Sequence, residues 1–144
     1  MATKARAALL PLLLGIGATS AAQDAATDPW ETIEPGGDTA CSTGNPYRFH
    51  VRRGDPERLM LFFNGGGACW SGATCDIRGK AAEDLSYRPE ASRDWGNDPR
   101  TYGGAFALDN PENPFREWSQ VFVSYCSGDV HLGDRSATYS DAVG

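Results

Sequence analysis

An uninterrupted apolar run, Leu59-Met60-Leu61-Phe62-Phe63, stops at Asn64 and gives way to three consecutive glycines, Gly65-Gly66-Gly67. Such a run suits a strand buried on both faces. Glycines directly behind it end the strand in bare backbone, free to take positive φ and to approach another chain or a ligand closely. Arg58 to Phe63 is therefore read as a strand. Tyr47 to Arg53 reads as a second, with Tyr47, Phe49 and Val51 on one face. Between them lies the turn cluster Gly54-Asp55-Pro56-Glu57, and so short a connection predicts an antiparallel hairpin.

Beyond the glycines, Thr74 to Leu85 reads as a helix capped by Thr74 or Asp76. Tyr87 to Pro114 is dense in Pro, Gly, Asn and Asp and reads as a long excursion, a kind of segment that often carries function. Glu117 or Trp118 then leads into a third strand, Val121 to Tyr125. The polar segment from Ser127 to Gly144 follows. This order of hairpin, glycine loop, helix, excursion and parallel strand resembles the front of an α/β-hydrolase sheet. Its C-terminal half is expected to be missing, and one helix is too little to cover three strands.

The first residues read differently. Lys4 and Arg6 precede an apolar run from Ala7 to Ala18, and small residues follow at Ser20-Ala21-Ala22. This is a signal-peptide pattern, with cleavage expected after Ala22 and a secreted or periplasmic product. The run falls short of the ~20 apolar residues that span a bilayer. Residues 23–40 then form a lead with little expected structure, although Trp30 and Ile33 are candidates to dock on the body, and residues 41–144 form the incomplete domain. Loss of residues 1–22 removes two cations and no acids, and the chain already carries a net charge of −6. An acidic chain without a Lys/Arg cluster suits neither nucleic acid nor an anionic membrane surface.

The chemistry concentrates at the glycines. Two adjacent N–H groups in such a loop can point at one oxygen, as acyl transfer requires when charge develops on the carbonyl oxygen. Esterases place an HGGG-type loop at this point, where this chain has Asn64 in place of the His. The plainer reading is an ordinary strand-to-helix turn. No G-x-S-x-G occurs in the chain, and Ser71 in Ala-Cys-Trp-Ser-Gly lacks the strand–turn–helix setting of a nucleophile elbow.

All four cysteines, Cys41, Cys69, Cys75 and Cys126, follow the leader. In a secreted chain they suggest two disulfides, with three possible pairings. Zinc is disfavoured, because there is no C-x-x-C and the histidines are His50 and His131 alone.

The stretch Leu59–Asp76 resembles the pectin acetylesterase/Notum family: an apolar strand, Gly65-Gly66, Cys69-Trp70 and Cys75-Asp76. The resemblance continues in order through Ser92-Arg93-Asp94-Trp95, Gly104-Ala105-Phe106, Asn113-Pro114-Phe115, Trp118 and Val121–Val130. It implies an α/β-hydrolase fold and serine-dependent hydrolysis of a carboxylic ester on a carbohydrate or other acylated partner. No metal or organic cofactor is implied. It maps the oxyanion amides to Gly66 and Gly67, and places the Ser, Asp and His of the triad downstream of these residues. In the Notum branch a tryptophan stands at the position of Gly67, which implies a roomier pocket here. The resemblance also implies a Cys69–Cys75 disulfide and leaves Cys41 with Cys126, a free Cys126 being the alternative.

Asn64, Trp70, Asp129 and His131 are the substrate-pocket candidates. Asp129 and His131 do not read as a catalytic pair, because the triad of this fold runs Ser, Asp or Glu, then His. Asp129 is equally suited to accept loop N–H bonds. Trp118 beside a strand reads as core. The competing function is a secreted carbohydrate-binding module or non-catalytic fragment.

Overall fold

The computed structural model describes residues 28–133. The leader at residues 1–22, the start of the following lead and the segment from residue 134 lie outside the described residues. Four strands form one mixed sheet: β1 (Trp30–Ile33), β2 (Phe49–Arg52), β3 (Asp55–Phe63) and β4 (Trp118–Val123), in the order β1-β2-β4-β3. The β1–β2 and β2–β4 pairs are antiparallel and β4–β3 is parallel. A mixed sheet with so little helix fits part of an α/β domain.

The expected hairpin is not formed. β2 and β3 flank β4 instead of pairing with each other. The short connection crosses the start of β4, where the Asp55 amide donates to the Glu117 carbonyl at 2.7 Å. A Cβ on Gly54 would stand 2.5 Å from that carbonyl oxygen and 2.6 Å from the Trp118 carbonyl carbon, so glycine is required at the crossing. Ser119 closes it, its hydroxyl donating to the Asp55 carbonyl and accepting from the Gly54 amide. Pro56 is tolerated because β3 lies at the sheet edge.

β3 is not buried on both faces. Met60 and Phe62 pack inward against Trp30, Tyr102, Phe106 and Phe122, whereas Leu59, Leu61 and Phe63 on the other face are 52–60 % exposed. The lead also holds more structure than expected: β1 pairs with β2 and buries Trp30. The helix expected over Thr74–Leu85 shrinks to a single turn, α1 (Gly72–Cys75), and a 3-10 turn at Ala82–Asp84. Ser71 caps α1, so Thr74 is its third residue and Asp76 its C-cap. A disulfide at Cys75 and Gly79 at φ 68° leave no run long enough for more helix.

The excursion from Tyr87 to Glu117 is irregular apart from 3-10 turns at Pro99–Thr101 and Gly104–Phe106. It covers one sheet face with Tyr102 and Phe106, whose rings contact Phe122 at centroid distances of 5.5 Å. Phe62 stacks on Phe122 and meets Phe106 edge-on.

Candidate active-site loop

The glycine loop leaves β3 beside the carboxyl end of β4, the edge at which open α/β sheets carry their sites. Asn64 starts it with its amide bonded to the Val123 carbonyl at 2.9 Å. The next carbonyls are held one after another. His131 Nε2 donates to Asn64 O at 2.9 Å, Arg88 Nη1 to Gly65 O at 3.3 Å, and the Arg88 amide to Gly66 O at 2.7 Å. The Tyr125 hydroxyl donates to Gly67 O at 2.7 Å. Burial pushes the Tyr125 phenol up, so it keeps the proton it donates. The amides of Gly66 and Gly67 have no partner among the described residues.

Both positions require glycine. A Cβ on Gly66 would meet the Tyr125 ring at 2.3 Å. Gly67 has φ +88°, and its Cβ would lie 2.1 Å from the Ser86 carbonyl oxygen. The side-chain direction at Gly67 is therefore filled by the Ser86–Tyr87 backbone. It does not open the roomier pocket expected there, and a tryptophan would need that segment to move.

Disulfides join Cys69 to Cys75 and Cys41 to Cys126, with Cα separations of 5.0 and 5.1 Å. The short bridge sits directly behind the glycines. It is docked on Gly128, whose carbonyl accepts from the Cys69 amide at 2.9 Å.

The pocket candidates separate. Gly66 and Gly67 form part of the wall of a cleft of about 670 Å³ with Arg88, Arg93, Trp95 and Thr101. Trp70 is 72 % exposed and lies outside that cleft, while Trp95 takes the place expected of it. Asn64 is not a pocket residue by its side chain, which is buried. Its Nδ2 donates to Gly96 O and Asn97 Oδ1, both at 2.8 Å, and its Oδ1 faces the Tyr102 hydroxyl. Asp129 and His131 line a separate hollow of about 400 Å³ with Asp38, Tyr47, Phe63 and Ser124.

Asp129 acts as a loop brace, taking bonds from Ser127 Oγ and from the His131 and Gly133 amides. Partial burial works to raise its carboxyl, but these donors together carry it below its ordinary value. His131 follows Val130, both at positive φ (59° and 51°), and packs on the Tyr125 and Phe63 rings.

Three residues that sequence reasoning did not single out organise this end of the sheet: Arg88, Tyr125 and Asn97. Asn97 is fully buried. Its Nδ2 donates to the carbonyls of Glu90 and Tyr125, and its Oδ1 accepts from Asn64 Nδ2 and the Tyr125 amide, all at 2.8–2.9 Å. A lone Asn in a Gly/Asp-rich segment carries no pattern that separates it from ordinary turn residues.

A partial α/β domain with a braced glycine loop behind a parallel strand is thus the class that this fold and site define. The sequence profile of the Pectinacetylesterase family matches residues 31–143, and the chain belongs to that family. It is 37 % identical over 103 residues to human palmitoleoyl-protein carboxylesterase NOTUM, covering 67 % of this chain and 19 % of that protein. With notum2 of Xenopus laevis, another palmitoleoyl-protein carboxylesterase, it shares 34 % over 104 residues, or 68 % of this chain and 20 % of the relative. With zebrafish notum1b, whose name describes an inactive palmitoleoyl-protein carboxylesterase, it shares 34 % over 103 residues, 68 % of each chain. The chain therefore spans about a fifth of the human and frog proteins.

Proposed function

We propose that this chain is the N-terminal part of a secreted serine-type carboxylic ester hydrolase of α/β-hydrolase fold, in which the amides of Gly66 and Gly67 stabilise the oxyanion. The observation that carries this reading is the pair of adjacent amides at the end of β3 that have no partner among the described residues, in a loop whose carbonyls are all engaged. Donors fixed before reaction lose nothing to reorganisation when charge develops. The nucleophile, its base and the orienting acid come from residues beyond these, since the chain has no G-x-S-x-G. The substrate is an acyl ester of a carbohydrate or another acylated partner. Trp95 and Arg93 of the cleft give its alcohol part an aromatic and a cationic surface. The signal-peptide pattern at residues 1–22 and the two disulfides support export.

A second reading, a non-catalytic secreted chain, draws on the zebrafish relative named inactive, of which this chain covers 68 %. Hydrolysis of 4-nitrophenyl acetate separates the two. It is measured on residues 23–144 and on the protein carried through its own reading frame. Activity confined to the longer form and abolished by a serine-directed phosphonate is the expected result. A folded longer form without turnover sinks the hydrolase reading and leaves the non-catalytic one.

A further inference from the structure

The peptide planes on either side of Gly66 are held by a single residue. The Arg88 amide donates to Gly66 O at 2.7 Å, and the Arg88 guanidinium reaches Gly65 O at 3.3 Å. A trans peptide is planar, with N–H and C=O pointing opposite ways. Fixing the Gly65 carbonyl therefore aims the Gly66 amide, and fixing the Gly66 carbonyl aims the Gly67 amide. Both amides are turned away from Arg88.

The arginine is itself anchored. Its Nη1 also donates to Gly96 O at 3.3 Å, and its Cδ lies 3.2 Å from where a Gly66 Cβ would stand. It forms no ion pair among the described residues. Its guanidinium charge is therefore shared between the Gly65 and Gly96 carbonyls, while the bond to Gly66 O comes from its neutral backbone amide. A charged donor on a carbonyl polarises that peptide and makes its N–H a stronger donor on the far side.

We infer that Arg88 is a positioning residue that aims both oxyanion amides, that of Gly67 through its own backbone N–H and that of Gly66 through its guanidinium, which also polarises it, a role that rests on the hydrolase reading above. Arg88 touches neither the acyl carbon nor the nucleophile. Its influence reaches the reaction through Gly66 and Gly67, and it strengthens only as negative charge grows on the substrate oxygen. It should then appear in kcat and leave KM nearly alone, the signature of an interaction made in the transition state.

The test uses the active esterase form with 4-nitrophenyl acetate. Arg88→Met keeps the apolar stem against Gly66 and removes every side-chain donor. We expect kcat per folded molecule to fall by about 10- to 100-fold with KM within about 3-fold, somewhat less than the loss of a direct oxyanion donor. Arg88→Lys, with charge but no fork, should fall between. Added guanidinium at low millimolar concentration should restore part of the Arg88→Ala loss, because the vacated space admits it, but not the Arg88→Met loss. The inference is overturned if kcat per folded molecule of Arg88→Met stays within about 2-fold of the parent while melting temperature drops, since Arg88 is then only a brace. A parent esterase that is folded and inactive removes the hydrolase reading itself, and this inference with it, whatever the Arg88 variants do.

Discussion

The interior of this chain has two ends built on different principles. Beneath the middle of the sheet, Trp30, Phe62, Tyr102, Phe106 and Phe122 form a cluster of rings whose contacts are edge-on, tilted or stacked without common geometry. Apolar packing of this kind depends on volume and contact more than on direction. At the carboxyl ends of β3 and β4 the same layer becomes polar. There Asn97 fills all its side-chain hydrogen-bonding capacity on Asn64, Glu90 and Tyr125. The first arrangement makes a sheet face stable. The second decides where the glycine loop leaves β3 and how Tyr125 meets it. Sites are placed by directional contacts, and the irregular excursion supplies them where a helix would have covered the sheet without reaching its end.

The largest expected effect tests that contrast directly. Asn97→Leu keeps bulk but leaves the buried Tyr125 amide and carbonyl and the part-buried Glu90 carbonyl without partners. At ~1–3 kcal/mol for each stranded group the loss is about 5 kcal/mol. Phe122→Leu at the ring cluster, where neighbours can repack, costs about 1–2 kcal/mol. Urea denaturation of both variants reads the difference. Equal losses would dissolve the distinction between the two ends.

The next effect is confined to the polar end. Cys41 and Cys126 bury beside Ala91 and Tyr47, and the Asn97-bonded Tyr125 carbonyl belongs to the peptide entering Cys126. The bridge closes a separation of 85 residues, for which the chain-entropy account gives about 4–5 kcal/mol. Cys41→Ala/Cys126→Ala should lower stability by about that much. Hydrogen exchange should show amide protection lost first around Tyr125 and Asn97 and last in the β2–β4 ladder. Uniform loss across the sheet would mean that the two ends unfold as one.

The sequence disclosed the apolar half of this design better than the polar half. Strand β3 and the excursion are legible because each is a run, the one apolar and the other rich in turn formers. Family resemblance named the cysteine pairs. A short connection between two strands predicts a hairpin turn, but Gly54 allows the chain to cross under Glu117 and Trp118 and leave room for β4. β1 was hidden by its length, four residues with Trp30 and Ile33 as their apolar members. The apolar composition of Leu59–Phe63 predicts burial on both faces, but composition does not tell a covered face from one that the described residues leave open. Asn97 and Arg88 gave no signal, because hydrogen bonds across 20 to 30 residues follow from tertiary direction and have no period.

His50 sits where the two ends meet, and its titration gives the smallest effect. Its ring is buried and lies edge-on to Phe122 of the apolar cluster. Nε2 faces the Asn97 carbonyl at 2.8 Å, which can only accept, so Nε2 carries the proton and Nδ1 accepts from the Thr32 hydroxyl at 3.0 Å. Burial pushes the imidazole below its ordinary 6.5. The Asn97 carbonyl and Asp98 oppose this, and Arg100 and Arg48 add to it. Between the lowered folded pKa and 6.5 the unfolded chain therefore binds more protons than the folded one. Stability then rises with pH in that window, is full above it, and is lost as pH falls through it. Thermal melts from pH 7.5 to 5 should show that decline, and His50→Gln should flatten it. The carboxylates with lowered pKa, Asp28, Asp55, Asp76 and Asp129, act in a separate window below their ordinary 3.8. Protonation at Nδ1 removes the acceptor for Thr32 and places charge against Phe122, but leaves the Nε2 bond to Asn97 in place. β1 should accordingly loosen before the Asn97 hub as pH drops. Exchange at Thr32 and Asn97 followed across the window would show the two moving together if the ring cluster and the hub are one cooperative unit.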